Sequence, residues 1–145
     1  MHSLKFSQIL LIAGLALTPM RAASAAEGEL LSGAASDSVA TTVSSGGLVF
    51  LGPFSGIDGR CRKTSDAQAW IVEKPRYGRA SAIKRRGEIA YGPQERLAYC
   101  NDRPIVGTTI RYQPARGFVG DDTFVFVLRF RDGEVRAKRV NVHVE

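Results

Sequence analysis

Residues 112–130 decide the fold of this 145-residue chain, and they read YQPARGFVGDDTFVFVLRF. Large apolar side chains recur at every second position from Phe124 to Phe130, which is the period of a β-strand with one face in a core. Just before this strand, Gly117 and Gly120 allow the chain to turn tightly. The segment therefore predicts a loop followed by a long core strand.

The stretches on either side have the same two-residue period. Upstream, residues 106–112 alternate between two faces and predict a second strand. Downstream, Asp132-Gly133 is typical of a type I′ hairpin turn, which leads into a final strand over Val135–Val144. The apolar positions of that strand change from odd to even numbers. Because a one-residue slip moves side chains to the other face, we expect a β-bulge near Lys138–Arg139.

Shorter strands and turns are predicted earlier in the chain. Apolar or alternating runs indicate the strands, and Pro or Gly marks the turns. The predicted strands cover residues 48–51, 69–72, 80–84, 88–91 and 97–100, with turns at Pro75–Gly78 and Arg85–Gly87. This pattern lacks a helical period and predicts an all-β fold. We expect one antiparallel, Ig-like β-sandwich of about seven strands over residues 47–145.

The N-terminus has the three parts of a secretory signal peptide. Residues 1–8 carry one cation, residues 9–17 are apolar, and residues 22–26 are small. The apolar run is shorter than the ~20 residues that a spanning helix needs. We therefore expect cleavage after Ala25, or one residue later, and no membrane span. The predicted location is the periplasm of a Gram-negative bacterium or the medium outside the cell.

Residues 26–46 differ in composition from the rest of the chain. They are rich in Ala, Ser, Gly and Thr and contain few large apolar groups. Such a stretch buries too little surface to offset the entropy lost on ordering. It is predicted to be a flexible leader, in which Ser38–Val43 is the one candidate edge strand.

Cys61 and Cys100 are the two cysteines of the chain. In an oxidising compartment, an even pair predicts a disulfide. The alternative is a nucleophilic or redox thiol. It is weaker, because the sequence contains no C-x-x-C motif.

Positive charge is concentrated in the second half of the chain. The whole sequence has a formal charge of +6, and twelve of the fifteen cations in residues 67–145 are arginine, which suits forked contacts with phosphate or carboxylate. Lys84–Arg86 forms one basic cluster. A second cluster is a candidate binding patch on the last two strands and consists of Arg129, Arg131, Arg136, Lys138 and Arg139. The alternative is that these cations only keep strand edges solvated.

The segment 112–126 resembles the recurring core of bacterial Ig-like and cadherin-like repeats, which has the form Y-x-P-x-x-G-F-x-G-x-D-x-F-x-Y. The matching residues are Tyr112, Pro114, Gly117, Phe118, Gly120, Asp122, Phe124 and Phe126, the last in place of Tyr. Residues 74–78 are similar to the K-P-x-x-G turn of the same repeats. The resemblance covers about residues 70–145 and implies a sandwich fold without implying a particular activity. The cysteine pair and the cationic last strands depart from the repeat pattern.

Two side chains of this motif have roles that follow from their chemistry. Asp122 lies at the start of a strand, where a carboxylate can cap nearby backbone N–H groups. Phe118 is expected to cover the open end of the sandwich. Both roles are structural.

No set of residues predicts catalysis, a metal site or a cofactor. A Ser/His/Asp hydrolase would need His143, the only histidine after the predicted cleavage site, and a lone strand histidine is more often a surface residue. Asp121 and Asp122 are neighbours in an extended segment, so their side chains point apart and form no acid/base pair. The chain has too few Cys and His residues for zinc and no clustered Asp residues for calcium.

Three functions remain open at this point. The first is an exported, non-enzymatic Ig-like module that binds an envelope protein or an anionic surface polymer. The second is a periplasmic accessory or regulatory subunit of a specific protein complex, and the third, less favoured, is a small hydrolase. We expect no nucleic-acid partner, because export separates the chain from nucleic acid and no recognition motif is present.

Overall fold

The computed structural model describes residues 37–145, so the predicted signal peptide and the first part of the leader lie outside the described residues. The described part contains eight strands and one 3-10 turn. They are β1 (Asp37–Val43), β2 (Val49–Ile57), β3 (Lys63–Asp66), β4 (Gln68–Glu73), β5 (Gly78–Glu88), the 3-10 turn Ala98–Cys100, β6 (Pro104–Pro114), β7 (Gly120–Arg129) and β8 (Val135–Val144).

The strands form a sandwich of two four-stranded sheets. The first sheet has the order β1-β8-β7-β4 and the second the order β3-β2-β6-β5. Neighbouring strands are antiparallel except β1, which runs parallel to β8. The predicted all-β sandwich is confirmed, with eight strands instead of about seven. The candidate edge strand near Ser38–Val43 is β1.

The core lies between the inward faces of the two sheets. From β7, Phe124, Phe126 and Leu128 are fully buried, and they meet Ile110 and Tyr112 of β6. Burying each such side chain contributes roughly 1.5–3 kcal/mol. The buried cluster consists of Val49, Ala67, Ile110, Tyr112, Phe124, Phe126, Leu128, Val140, Val142 and Val144. The two-residue period therefore marked the core faces correctly over residues 108–112 of β6 and 124–128 of β7, whereas Val106, which the period places with Thr108, is 47% exposed.

The bulge expected near Lys138–Arg139 is absent. The pairing of β8 with β7 is unbroken over the whole strand, so Arg136 and Lys138 occupy inward positions in the same register as the buried valines. Acidic groups stabilise both cations at this end of the sandwich. Lys138 Nζ lies 2.8 Å from a carboxylate oxygen of Asp37, and Arg136 Nε lies 2.8 Å from one of Glu134. The prediction was wrong because it assigned only apolar side chains to the inward face.

The turn expected at Arg85–Gly87 is also absent. β5 runs without interruption and pairs with β6 along its whole length. Gly87 serves close packing instead of a turn, because a Cβ atom there would lie 2.7 Å from Cδ of Pro53. The short strand predicted over residues 97–100 is the 3-10 turn.

The β7–β8 hairpin has a different turn from the one predicted. A type I′ turn needs positive φ at both central residues, and here only Gly133 has it, at +90°. Phe130 N–H donates to Glu134 O at 2.8 Å, which closes a three-residue loop. The Asp-Gly signal therefore located the hairpin correctly and its turn type incorrectly.

One end of the sandwich is closed around the buried carboxylate of Asp122. Its oxygens accept hydrogen bonds from the backbone N–H groups of Arg76 and Tyr77 and from the hydroxyl of Tyr112, each at 2.9 Å. Phe118 stacks on the Tyr77 ring with centroids 4.5 Å apart. Asp122 thus caps the turn between β4 and β5 and ties it to β6 and β7, while Phe118 covers this end.

The second tie is covalent and is the disulfide between Cys61 and Cys100. It joins the loop after β2 to the buried end of the 3-10 turn. Nearby, Tyr99 donates its hydroxyl hydrogen to Gly59 O at 2.8 Å, and the side chain of Asn101 bonds both the N–H and the C=O of Tyr91. The predicted pairing is confirmed, and it fixes the connection between β5 and β6.

Replacing Asp122 with alanine is expected to lower the free energy of unfolding by roughly 3–5 kcal/mol, because a buried hydroxyl and two backbone N–H groups lose their acceptor. Urea unfolding measures the change. Asp121→Ala is the matched control, since the Asp121 side chain is 87% exposed and its loss should cost less than about 1 kcal/mol. Equal losses in the two variants would contradict the role given to Asp122.

The pH dependence of stability provides a second test of this network. Burial, together with the hydrogen bond to the Asp122 carboxylate, raises the pKa of Tyr112 above its ordinary value of 10.0. A raised pKa in the folded state stabilises the fold below the ordinary pKa, and this stabilisation is lost as the pH rises above about 10. The pKa of Tyr91 is raised too, mainly by burial, so the comparison of Tyr112→Phe with the natural sequence isolates Tyr112.

We therefore expect the natural protein to lose stability between about pH 10 and pH 11.5 by up to about 1.4 kcal/mol per pH unit more than the Tyr112→Phe variant does. Urea unfolding at a series of pH values gives the two slopes. Parallel slopes would show that Tyr112 does not couple to folding.

Removing the disulfide with Cys61→Ser and Cys100→Ser together should lower the free energy of unfolding by about 4 kcal/mol in the chain-entropy approximation, since the cysteines are 39 positions apart. Denaturant unfolding of the double variant measures the loss. Titration of the unreduced natural protein should find no free thiol, and two reactive thiols would rule the bond out in solution.

Candidate functional site

The five cations predicted as a binding patch do not share one surface. Arg129 and Arg139 face outward from the first sheet, whereas Arg136 and Lys138 face inward near the open end of the sandwich. Arg131 lies in the hairpin loop between β7 and β8. The five cations are therefore close in the sequence, but their side chains face different directions in the structure.

Acidic side chains accompany most of this group. Arg136 contacts Glu134 and Glu95, and Arg139 Nη1 lies 3.3 Å from a carboxylate oxygen of Glu73. The hydrogen bond with Glu134 raises the pKa of Arg136 further. The hydrogen bond from Lys138 holds the pKa of Asp37 below its ordinary value. These ion pairs reduce the positive charge that the hairpin offers to an anionic partner.

A different set of arginines lies on the outward face of the second sheet. Because Ala80 pairs with buried Tyr112, the residues that alternate with them face outward, and these include three exposed arginines. We call Arg79, Arg85 and Arg111 the arginine face. The one acid within β2, β5 and β6 is Glu88, the last residue of β5. In the described part of the chain, no carboxylate lies within 4.0 Å of the three guanidinium groups.

An aromatic ring supports one of these arginines. The guanidinium carbon of Arg85 lies 4.1 Å from the centroid of the Phe50 ring. Phe50 is on β2, directly opposite Arg111 on β6. A cation–π contact of this kind is worth about 0.5–1 kcal/mol at an exposed site. The Phe50 ring thus contacts the charge of Arg85 and is the cross-strand neighbour of Arg111.

Sequence reasoning missed the arginine face because it placed Arg85 with Lys84 and Arg86 at a turn. In the continuous strand β5, Arg85 points away from its two neighbours. Lys84 pairs instead with Asp66, at 2.7 Å between Nζ and Oδ2. The signal that could have found the site is that positions 79 and 85 are an even number of residues apart, which puts them on one face of an uninterrupted strand.

A cleft of about 630 Å³ lies at the open end, between β2 and the β7–β8 hairpin. Its lining mixes cations with acids, among them Arg136, Glu95 and Glu134. The buried hydroxyl of Ser55 lies on the wall without a hydrogen-bond partner in the described residues. Since its lining contains as many acids as cations, the cleft has less attraction for an anion than the arginine face has.

His143 forms an exposed cross-strand pair with Asp121, with 2.7 Å between Nδ1 and Oδ1. The side chains of His143 and Asp121 are 56% and 87% exposed, so the pair is worth less than about 1 kcal/mol. Asp122 points to the opposite face, as expected for adjacent strand residues. Across residues 37–145, no cluster of three or more His, Cys, Asp or Glu side chains could hold a metal ion.

The comparisons with known proteins add little to this geometry. No protein-family model matches the chain, and no curated protein matches it. Among solved structures, the chain is similar to one described as the solution structure of amebosin, with 13% identity, coverage of 74% of this chain and 96% of that chain, and a TM-score of 0.34. Between residues 37 and 145, no helix has the length and apolar character needed to cross a bilayer.

Proposed function

We propose that this protein is an exported, non-enzymatic Ig-like module that binds an anionic partner outside the cytoplasm. The observation that carries the proposal is the arginine face, where exposed guanidinium groups occur on one sheet surface without neighbouring carboxylates. Such a surface attracts polyanions, and guanidinium groups contact carboxylate and phosphate through paired hydrogen bonds. An anionic surface polymer is the partner that we favour.

The disulfide supports a location outside the cytoplasm. Bonds of this kind persist in oxidising compartments such as the periplasm and are rare in reducing ones. Together with the signal-peptide pattern of residues 1–26, it favours export, and export makes polymers of the cell envelope the accessible polyanions.

A second function is favoured by a surface on the opposite sheet. Trp70 and Val135 are about half exposed on the outward face of the first sheet, near Arg129. Exposed Trp and Arg side chains in one area are typical of residues that anchor protein–protein interfaces. This surface supports the alternative of a periplasmic accessory subunit with one protein partner.

The test of the first function is retention on an anionic polymer. We expect the exported protein to be retained on immobilised polygalacturonate or polyphosphate and released by rising NaCl. The triple variant Arg79→Gln/Arg85→Gln/Arg111→Gln should lose retention, because about three cationic contacts are removed. Elution in a salt gradient measures the effect.

A matched variant controls for net charge. Arg116→Gln/Arg129→Gln/Arg131→Gln removes the same charge from exposed arginines elsewhere and should be retained nearly as strongly as the natural protein. An equal loss of retention in both variants would show that binding depends on the net charge and not on the position of the arginines. No retention of the natural protein, with a crosslinked partner lost on Trp70→Ala, would favour the accessory subunit.

A further inference from the structure

We infer that Phe50 positions Arg85 beside Arg111, so that the two arginines form a paired guanidinium site for the phosphate or carboxylate groups of a linear polymer. The inference rests on the proposed function, since it concerns the same face, and it goes further by naming the residues that make the contact and the residue that orders them. Phe50 is a positioning residue and does not itself bind the anion.

The first step is the path of the Arg85 side chain. Arg85 lies on β5, and its partner on β6 is Gly107. The Arg85 guanidinium lies over the ring of Phe50 on β2, and its Nη1 lies 3.5 Å from the carbonyl oxygen of Arg86. The ring that contacts the charge of Arg85 therefore comes from a strand two positions away in the sheet.

The second step is the position of Arg111. Phe50 and Arg111 are direct cross-strand partners, so their Cα atoms are about 4.5–5.5 Å apart. The Phe50 ring thus has the Arg85 guanidinium against it and Arg111 as its cross-strand neighbour. Two cations kept at neighbouring positions without a carboxylate create a local positive potential that an anion relieves.

The third step concerns the size of the ligand. Arg79 is offset from Arg111 by one strand and two residues, which corresponds to about 8 Å between Cα atoms. A ligand that reaches both the Arg85–Arg111 pair and Arg79 needs anionic groups on successive units. A linear polymer meets this requirement, whereas a single inorganic ion fills only the pair.

Another arginine over a phenylalanine ring provides the contrast within the same chain. The Arg136 guanidinium carbon lies 5.3 Å from the Phe130 centroid, but Arg136 also contacts Glu134 and Glu95. Acids therefore neutralise the charge of the stacked arginine at the hairpin, whereas the stacked arginine of the arginine face has no acid beside it. Phe130→Leu is accordingly the matched control for Phe50→Leu.

The experiment measures affinity and its salt dependence for fluorescent polyphosphate and, separately, for polygalacturonate. Phe50→Leu removes the ring and keeps every cation, so the dissociation constant should rise roughly twofold to fivefold while the slope of log affinity against log salt stays the same. Arg85→Gln or Arg111→Gln should weaken binding and also reduce the slope by about one. Phe50→Tyr should restore affinity, and Phe130→Leu should leave it unchanged.

The outcomes separate the two proposals. If the natural protein binds neither polymer, the proposed function fails. If it binds but Phe50→Leu has natural affinity, or if Phe50→Tyr does not restore binding to a normally folded protein, the positioning role of Phe50 is overturned. Equal affinity for inorganic phosphate and for polyphosphate would overturn the inference that the ligand is a polymer. Capture of an acidic protein at this face without polymer binding would overturn it too. The preferred polymer of the two identifies the anionic group.

Discussion

The buried carboxylate of Asp122 is the interaction on which the architecture depends. A charged group with almost no exposed surface is costly unless its oxygens accept hydrogen bonds, and here two backbone N–H groups and a tyrosine hydroxyl supply them. The N–H groups belong to the turn between β4 and β5, where the chain crosses from the first sheet to the second. One side chain on β7 therefore fixes the crossing, the position of β6 and the closed end of the sandwich.

The two ends of the sandwich show how one alternating pattern produces different chemistry. At the closed end, inward positions of β8 are buried valines, and the stacked rings of Tyr77 and Phe118 lie over the turn. At the open end, the same inward register presents Arg136 and Lys138, which meet carboxylates instead of apolar groups. The cleft between the sheets follows from this change, because charged side chains keep the sheets from closing over a dry core.

The placement of acids decides which cations are available to a partner. The cations of the last two strands look most prominent along the chain, yet Glu134, Glu73 and Asp37 lie beside them. The arginine face has only three cations, but β5 and β6, which carry them, contain a single acid at one end. Coulomb attraction falls with distance, so an arginine whose nearest carboxylate is on another surface keeps more of its attraction for an external anion. The second sheet is thus the better candidate surface.

The sequence by itself determined the β class, the core faces of β6 and β7, the disulfide and the structural role of Asp122, because these follow from a two-residue period, a cysteine count and a motif of local residues. It did not determine the register of β8, the continuity of β5 or the arginine face. In the sequence, Gly87 is typical of a turn. Only the structure shows that Pro53, more than thirty positions away, packs where a side chain at position 87 would lie. Likewise, Arg85 meets Phe50, the cross-strand neighbour of Arg111, only when β2, β6 and β5 lie side by side. Strand pairing is a long-range property, and only the tertiary structure decides which charges meet and which remain unpaired.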